Sequence, residues 1–330
     1  MTSLSFPGAG WQPATSEGSR FSPDGLAAVL DEARRIDTAA LLLLDNGRPV
    51  LEFGDLARRY KSHSIRKSLL SALYGIHVAA GRIDLAATLA DLGIDDKLGL
   101  TDVEKRATVY DLLMARSGIY HPTCHESARM RAIREPRGSH GPSTYWVYNN
   151  WDFNALGTIF DKLVGCSLFE EFRDRLATPL GMQDFRYDAE RRDGEYSGSD
   201  ETVHPAYPFR ISTRDLARFG LLYLADGVWN GQRLLPETWV AQSVQPYSHA
   251  GADGAYGFMW WLERSGVHLP GVIVPPGTYS ARGVGGHHVV VMPAVNLVLV
   301  HRADTDVSGR EVDKHKFGRL VARILAAYRG

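Results

Sequence analysis

Residues 62–70 read SHSIRKSLL, and within them Ser64 and Lys67 stand three apart where polar residues give way to an apolar helical run. Three residues is close to one helical turn, so the two side chains share a face and can touch. A serine hydroxyl is almost wholly neutral at pH 7 and needs a base within hydrogen-bond reach to become a nucleophile. A desolvated lysine is such a base. Ser-x-x-Lys by itself also describes any helix start with a solvated lysine, so the assignment needs partners elsewhere in the chain.

Two stretches supply them. Tyr148-Asn149-Asn150, inside STYWVYNNWDFNALG, sets a phenol and an amide two residues apart directly before a helical pattern. Tyr148 shares its run with Tyr145, Trp146 and Trp151, which alone describes packing, and Asn150 also suits a helix cap. Farther on, SARGVGGHHVVVMP carries Ala281-Arg282-Gly283-Val284 into an apolar strand that ends at Pro293.

The elements that must position these residues are legible in outline. SPDGLAAVLDEARRI (22–36) has a capping Ser, a Pro at the first helical position and apolar residues at helical spacing. AALLLLDNGRPVLEFGD follows, two apolar runs around Asp45-Asn46-Gly47-Arg48, which predicts a β-hairpin. From about 64 to 240 the spacing is helical in SLLSALYGIHVAA, TVYDLLMAR, NALGTIFDKLV, SLFEEFRDRLA and TRDLARFGLLYLADG. Strand patterns return in YGFMWWLE (256–263), HHVVVMP (287–293) and NLVLVHRA (296–303), and 311–328 closes as a helix.

A sheet drawn from both chain ends and interrupted by helices predicts an α+β fold. The expected division is a sheet domain, 1–63 with 241–330, and a large all-helical region, 64–240, inserted into it. The active-site cleft is expected between them. Ser64 stands at the first junction.

Composition narrows the classes of function. The chain has 330 residues, 44% hydrophobic and 23% charged, enough for a large packed core. A formal net charge of −1 leaves no basic excess for nucleic acid or an anionic membrane. MTSLSFPGAGWQPATSEGSR has no basic segment followed by an apolar one, and no stretch is apolar enough to span a bilayer, so a cytoplasmic protein is expected. Cys124 and Cys166, in unrelated contexts, read as free thiols.

Taken together, Ser64-x-x-Lys67, Tyr148-x-Asn150 and a glycine strand near the C-terminus resemble the serine β-lactamases and penicillin-binding proteins. The Tyr-x-Asn form is similar to the class C enzymes and their esterase and peptidase relatives. LLMARSGIY (112–120), PLGM (179–182), STRDLARFG and WNGQRLLPETW (229–239) extend the resemblance over roughly residues 25–328. At Ala281-Arg282-Gly283 such enzymes carry Lys-Thr-Gly or His-Thr-Gly, and only the glycine matches.

The resemblance implies a β-lactamase/transpeptidase-like fold with an antiparallel sheet flanked by helices. It also implies that Ser64 attacks a carbonyl while the Lys67/Tyr148 pair takes and returns the proton. Which of the two is the base is left open, because the groups titrate together. The backbone N–H groups of Ser64 and Val284 would form the oxyanion hole. Asn150 and Gly283 would bind substrate, and Arg282 is a candidate substitute for the missing cation, although alternation along a strand turns it from the face of its neighbours.

With no Lys or His at Ala281, the expected substrate is a small neutral ester or amide. Similarity to the 6-aminohexanoate-oligomer hydrolase branch points to a linear amide. The alternatives are a β-lactamase or D-amino-acid peptidase, an acyltransferase or cyclase, and a binding protein that kept only the fold. No cofactor is expected, and homo-oligomerisation stays open.

His121, His125, Glu126 and His140 fall in one loop, but their spacing is not the His-Glu-x-x-His of a zinc site, so no metal is expected. Tyr120 and His121 are candidate substrate contacts instead. His287 and His288 alternate on a strand, and a packed imidazole is the default reading for either. The loop from about 119 to 144 is long and rich in Pro, Gly and Ser, which suits a selectivity-setting segment.

Overall fold

The computed structural model describes residues 4–12 and 19–330. One antiparallel sheet of eight strands organises them. In chain order these are β1 (Ala40–Asp45), β2 (Arg48–Gly54), β3 (Ser248–His249), β4 (Ala255–Tyr256), β5 (Trp261–Leu262), β6 (Tyr279–Gly283), β7 (His287–Met292) and β8 (Leu297–Arg302). They lie side by side as β2-β1-β8-β7-β6-β5-β4-β3, so strands from the two chain ends meet where β1 pairs with β8. The β1–β2 hairpin turns on Asn46 and Gly47, with φ of 48° and 80°, the left-handed pair that a two-residue turn of matching twist requires.

Both faces of the sheet are covered, and residue alternation divides them. Leu41 and Leu43 of β1 pack with α1 (Pro23–Arg35) and with the C-terminal helix, while Leu42 and Leu44 face the other layer. That other layer contains α2 (Ile65–Ala79), α3 (Asn150–Val164) and α4 (Thr213–Leu224); the C-terminal helix is α5 (Lys314–Ala327). Leu42, Leu44, Val289, Val291, Val298 and Val300 of the sheet share one apolar core with these helices. The helices close down because small residues let them: a Cβ on Gly220 of α4 would stand 2.7 Å from Val298.

The region between β2 and β3 is less helical than its spacing predicts. It contains three two-stranded ribbons, including Tyr60–Lys61 paired with Arg210–Ile211. TVYDLLMAR forms only the five-residue helix Val109–Leu113. Likewise, YGFMWWLE is not one strand: β4 and β5 are joined at Gly257–Trp260, where the Gly257 N–H donates to the Trp260 carbonyl at 2.9 Å. A Cβ on Gly257 would approach the Ser243 carbonyl to 2.3 Å, so the chain bends there and inserts Phe258, Met259 and Trp260 into the core. Among the described residues no helix is long and apolar enough to cross a membrane.

Candidate active site

Ser64 precedes the first residue of α2 and is held from two sides. Upstream, the Ser62 N–H donates to the Phe209 carbonyl at 2.8 Å, continuing the Tyr60–Lys61 ribbon. Across the cleft, Gly283 at the end of β6 comes so close that a Cβ would lie 2.7 Å from the Ser62 carbonyl and 3.0 Å from His63 Cβ. Only glycine permits that approach. On the helix, Ser68 Oγ donates to the Met259 carbonyl at 2.7 Å, pinning the first turn of α2 to the β4–β5 connection.

One turn after Ser64, Lys67 is 2% exposed. Its Nζ lies 2.7 Å from Ser64 Oγ and 2.8 Å from the Tyr148 hydroxyl oxygen. The amine stands 4.7 Å from the Tyr148 ring centroid and 4.8 Å from that of Phe153, and no carboxylate among the described residues pairs with it. Burial, reinforced by the neighbouring Arg66 guanidinium, holds the Lys67 pKa well below its ordinary value. Burial also pushes the Tyr148 phenol up to about 12, with the Ser64 hydroxyl partly offsetting it. Burial thus works toward the uncharged form of both groups.

Asn149, not Asn150, caps α3: its Oδ1 accepts from the Asp152 N–H at 3.1 Å. That leaves the Asn150 amide for the cleft. Its Nδ2 donates to the His125 carbonyl at 2.8 Å, while its buried Oδ1 has no partner among the described residues. Val284, just past β6, is 71% exposed. Among the described residues, neither the Ser64 N–H nor the Val284 N–H donates to any acceptor. Two such N–H donors near the Ser64 hydroxyl are what an oxyanion developing there would need.

These groups line a cleft of about 550 Å³ that includes Ser64, Lys67, Asn150 and Val284 together with His63, Arg66 and His125. Arg192 and Arg210 stand on its wall as well. His63 and Arg66 flank Ser64 and Lys67 in the SHSIRKSLL stretch, where no spacing rule marked them. Arg192 and Arg210 lie far along the chain and gave no signal.

Three of the expected contacts are elsewhere. Tyr120 and His121 are buried away from the cleft, with His121 3.4 Å from Glu104 and 3.7 Å from Asp96. His121 thus stands in the interior between two carboxylates. Arg282 is turned by strand alternation toward His268, donating to its carbonyl at 2.7 Å and pairing with Asp253 at 3.2 Å. The loop histidines are dispersed too: His125 Nε2 meets Ser197 Oγ at 2.9 Å and His140 stacks on Tyr145 at 4.0 Å.

The Beta-lactamase family model matches residues 24–323. The chain belongs to the Beta-lactamase family, a family of hydrolases. A curated relative from Alkalihalophilus pseudofirmus, an uncharacterised protein, is 29% identical over 128 residues, a match spanning 35% of this chain and 37% of the relative's length. Among solved structures, a putative 6-aminohexanoate-dimer hydrolase from Bacillus anthracis superposes with a TM-score of 0.65 at 19% identity, covering 89% of this chain and 80% of that one. EstCE1, a hydrolase with promiscuous acyltransferase activity, gives 0.63 at 15% identity over 93% and 98%. At those identities the likeness is one of fold: a large antiparallel sheet with helices on its faces.

Proposed function

We propose that this protein is a serine hydrolase that cleaves a small ester or amide through an acyl-serine intermediate. The observation that carries the reading is the position of Lys67 Nζ, buried between Ser64 Oγ and the Tyr148 hydroxyl, where burial lowers its pKa. A neutral amine at hydrogen-bond distance from a serine hydroxyl is a general base in place.

Lys67 takes the Ser64 proton as Oγ attacks the substrate carbonyl carbon. The negative charge that develops on the carbonyl oxygen is met by the Ser64 and Val284 N–H groups. Collapse breaks the bond to the leaving alcohol or amine, which receives a proton through the Lys67/Tyr148 pair. A water then attacks the acyl-serine, gives its proton to the same pair, and releases the acid and the free Ser64. Asn150 offers the acyl side its Oδ1, which has no partner among the described residues, while its Nδ2 donates to the His125 carbonyl.

An esterase or amidase is favoured over a β-lactamase or wall peptidase. Ala281 is fully buried, and Arg282 is occupied by Asp253 and His268, so neither residue of this strand motif offers a cation to a substrate carboxylate. The likeness to a 6-aminohexanoate-dimer hydrolase and to EstCE1 supports a linear amide or ester, and acyl transfer to an alcohol or amine is the second reading.

The test is hydrolysis of p-nitrophenyl butyrate beside a Ser64→Ala variant, with a chromogenic cephalosporin in parallel. The reading predicts ester turnover that the variant loses and little cephalosporin cleavage. Fast cephalosporin cleavage would make the protein a β-lactamase, and turnover unchanged in the variant would remove the acyl-serine mechanism.

A further inference from the structure

His63, the residue before the nucleophile, lies in left-handed backbone with φ of 46° and lines the cleft. A chain of hydrogen bonds runs to its ring from a buried guanidinium. Arg302 is fully buried; its Nη1 donates to the Ile211 carbonyl at 3.0 Å and its Nη2 to the Lys61 carbonyl at 2.7 Å. Its Nε donates to His287 Nδ1 at 2.9 Å.

A guanidinium has donors only, so His287 Nδ1 is the acceptor and the ring proton sits on Nε2. That Nε2–H faces Thr305 Oγ1 at 3.1 Å, and Thr305 accepts it. The hydroxyl proton of Thr305 is then directed at the next acceptor, His63 Nε2, 2.8 Å away. In a neutral imidazole with Nε2 accepting, the proton is on Nδ1. The reverse order would leave the Arg302 Nε–H against a protonated His287 nitrogen. Both rings stay neutral: burial pushes His63 down to about 4 and His287 well below its ordinary value.

His63 Nδ1 has no partner among the described residues and is not sealed off in the interior. We propose that His63 is a substrate-binding residue whose Nδ1–H, held in that tautomer by Thr305, donates to a carbonyl or carboxylate oxygen of the substrate beside Ser64. Thr305 is the positioning residue and His287 and Arg302 orient it. The site therefore selects an oxygen acceptor at this point; a substrate presenting an N–H there would set donor against donor. The inference rests on the acyl-serine reading for its substrate, but the tautomer does not.

The experiment is 15N NMR of the histidine-labelled protein at pH 7.5, with the His63 signals assigned by their loss in His63→Gln. The proposal predicts a protonated Nδ1 and an unprotonated Nε2. Thr305→Val should mix the tautomers and raise KM for the ester about tenfold, the size of one lost hydrogen bond, with a smaller change in kcat. Thr305→Ser should restore both. A parent ring protonated on Nε2, or a Thr305→Val protein with unaltered tautomer or unaltered KM, would overturn it. Because the spectrum needs no turnover, failure of the hydrolase reading would appear separately, in the Ser64→Ala comparison.

Discussion

The Lys67 amine meets the Tyr148 hydroxyl at 2.8 Å in a pocket walled by Tyr148 and Phe153, with no carboxylate paired to it among the described residues. An amine so placed gains more as a base than as a cation, because burial penalises only its charged form. Lys67→Ala should therefore lower kcat by about 10²- to 10⁴-fold, the range of a lost general base. Lys67→Arg should be nearly as inactive, since a guanidinium stays protonated at any working pH. Steady-state kinetics on the same ester check both.

Arg66 contributes to that neutrality from one residue away. Its guanidinium lies 4.0 Å over the Tyr207 ring and donates to Asn154 Oδ1 at 2.7 Å, with no carboxylate paired to it among the described residues. Its positive charge opposes protonation of Lys67. In Arg66→Gln the Lys67 pKa should rise, so less free amine is present at neutral pH. The acidic limb of the kcat/KM profile should move to higher pH, and activity should recover on the alkaline side.

How much of this was legible follows from the kind of signal each residue gives. Ser64 and Lys67 are linked by helical period, and Tyr148 and Asn150 by two residues, so short-range spacing proposed all four; Ser64, Lys67 and Asn150 line one cleft, and the buried Tyr148 hydroxyl meets Lys67. The sheet was equally open to reading, because alternation and a turn pair marked β1, β2, β7 and β8. Residues brought in from a distance were not. His121 carries the same local pattern whether it faces a cleft or lies buried near Asp96 and Glu104, and only the tertiary packing decides. The β4–β5 connection failed for a related reason: Phe258, Met259 and Trp260 are apolar in a strand and equally apolar in a buried turn.

Asp152, in the first turn of α3, is fully buried and accepts from Ser117 Oγ. Burial pushes its carboxyl up to about 8, against an unfolded value near 3.9. The folded state thus keeps a proton that the unfolded chain loses, and this group's contribution is full below about pH 4 and lost as pH rises through about 8. Asp152→Asn should flatten that part of the stability profile, losing less between pH 5 and 8.5 than the parent. Urea midpoints at the two pH values measure it.

Gly75 of α2 lies against Trp239: a Cβ there would stand 2.3 Å from two atoms of the indole. Alanine gains at most about 1 kcal/mol of helix propensity, and overpacking a core costs about 1–3 kcal/mol. Gly75→Ala should therefore lower the melting temperature by a few degrees. Combining it with Trp239→Leu should recover part of the loss, because the clash is with that ring.

The most direct test is to trap the nucleophile. The protein is incubated with an alkyl fluorophosphonate, which esterifies an activated serine, and the intact mass and then the peptides are read by mass spectrometry. The account predicts one adduct, on the peptide containing Ser64, formed in the parent, slowed sharply in Lys67→Ala and absent in Ser64→Ala. An unmodified parent, or an adduct on another residue that survives Ser64→Ala, would contradict it.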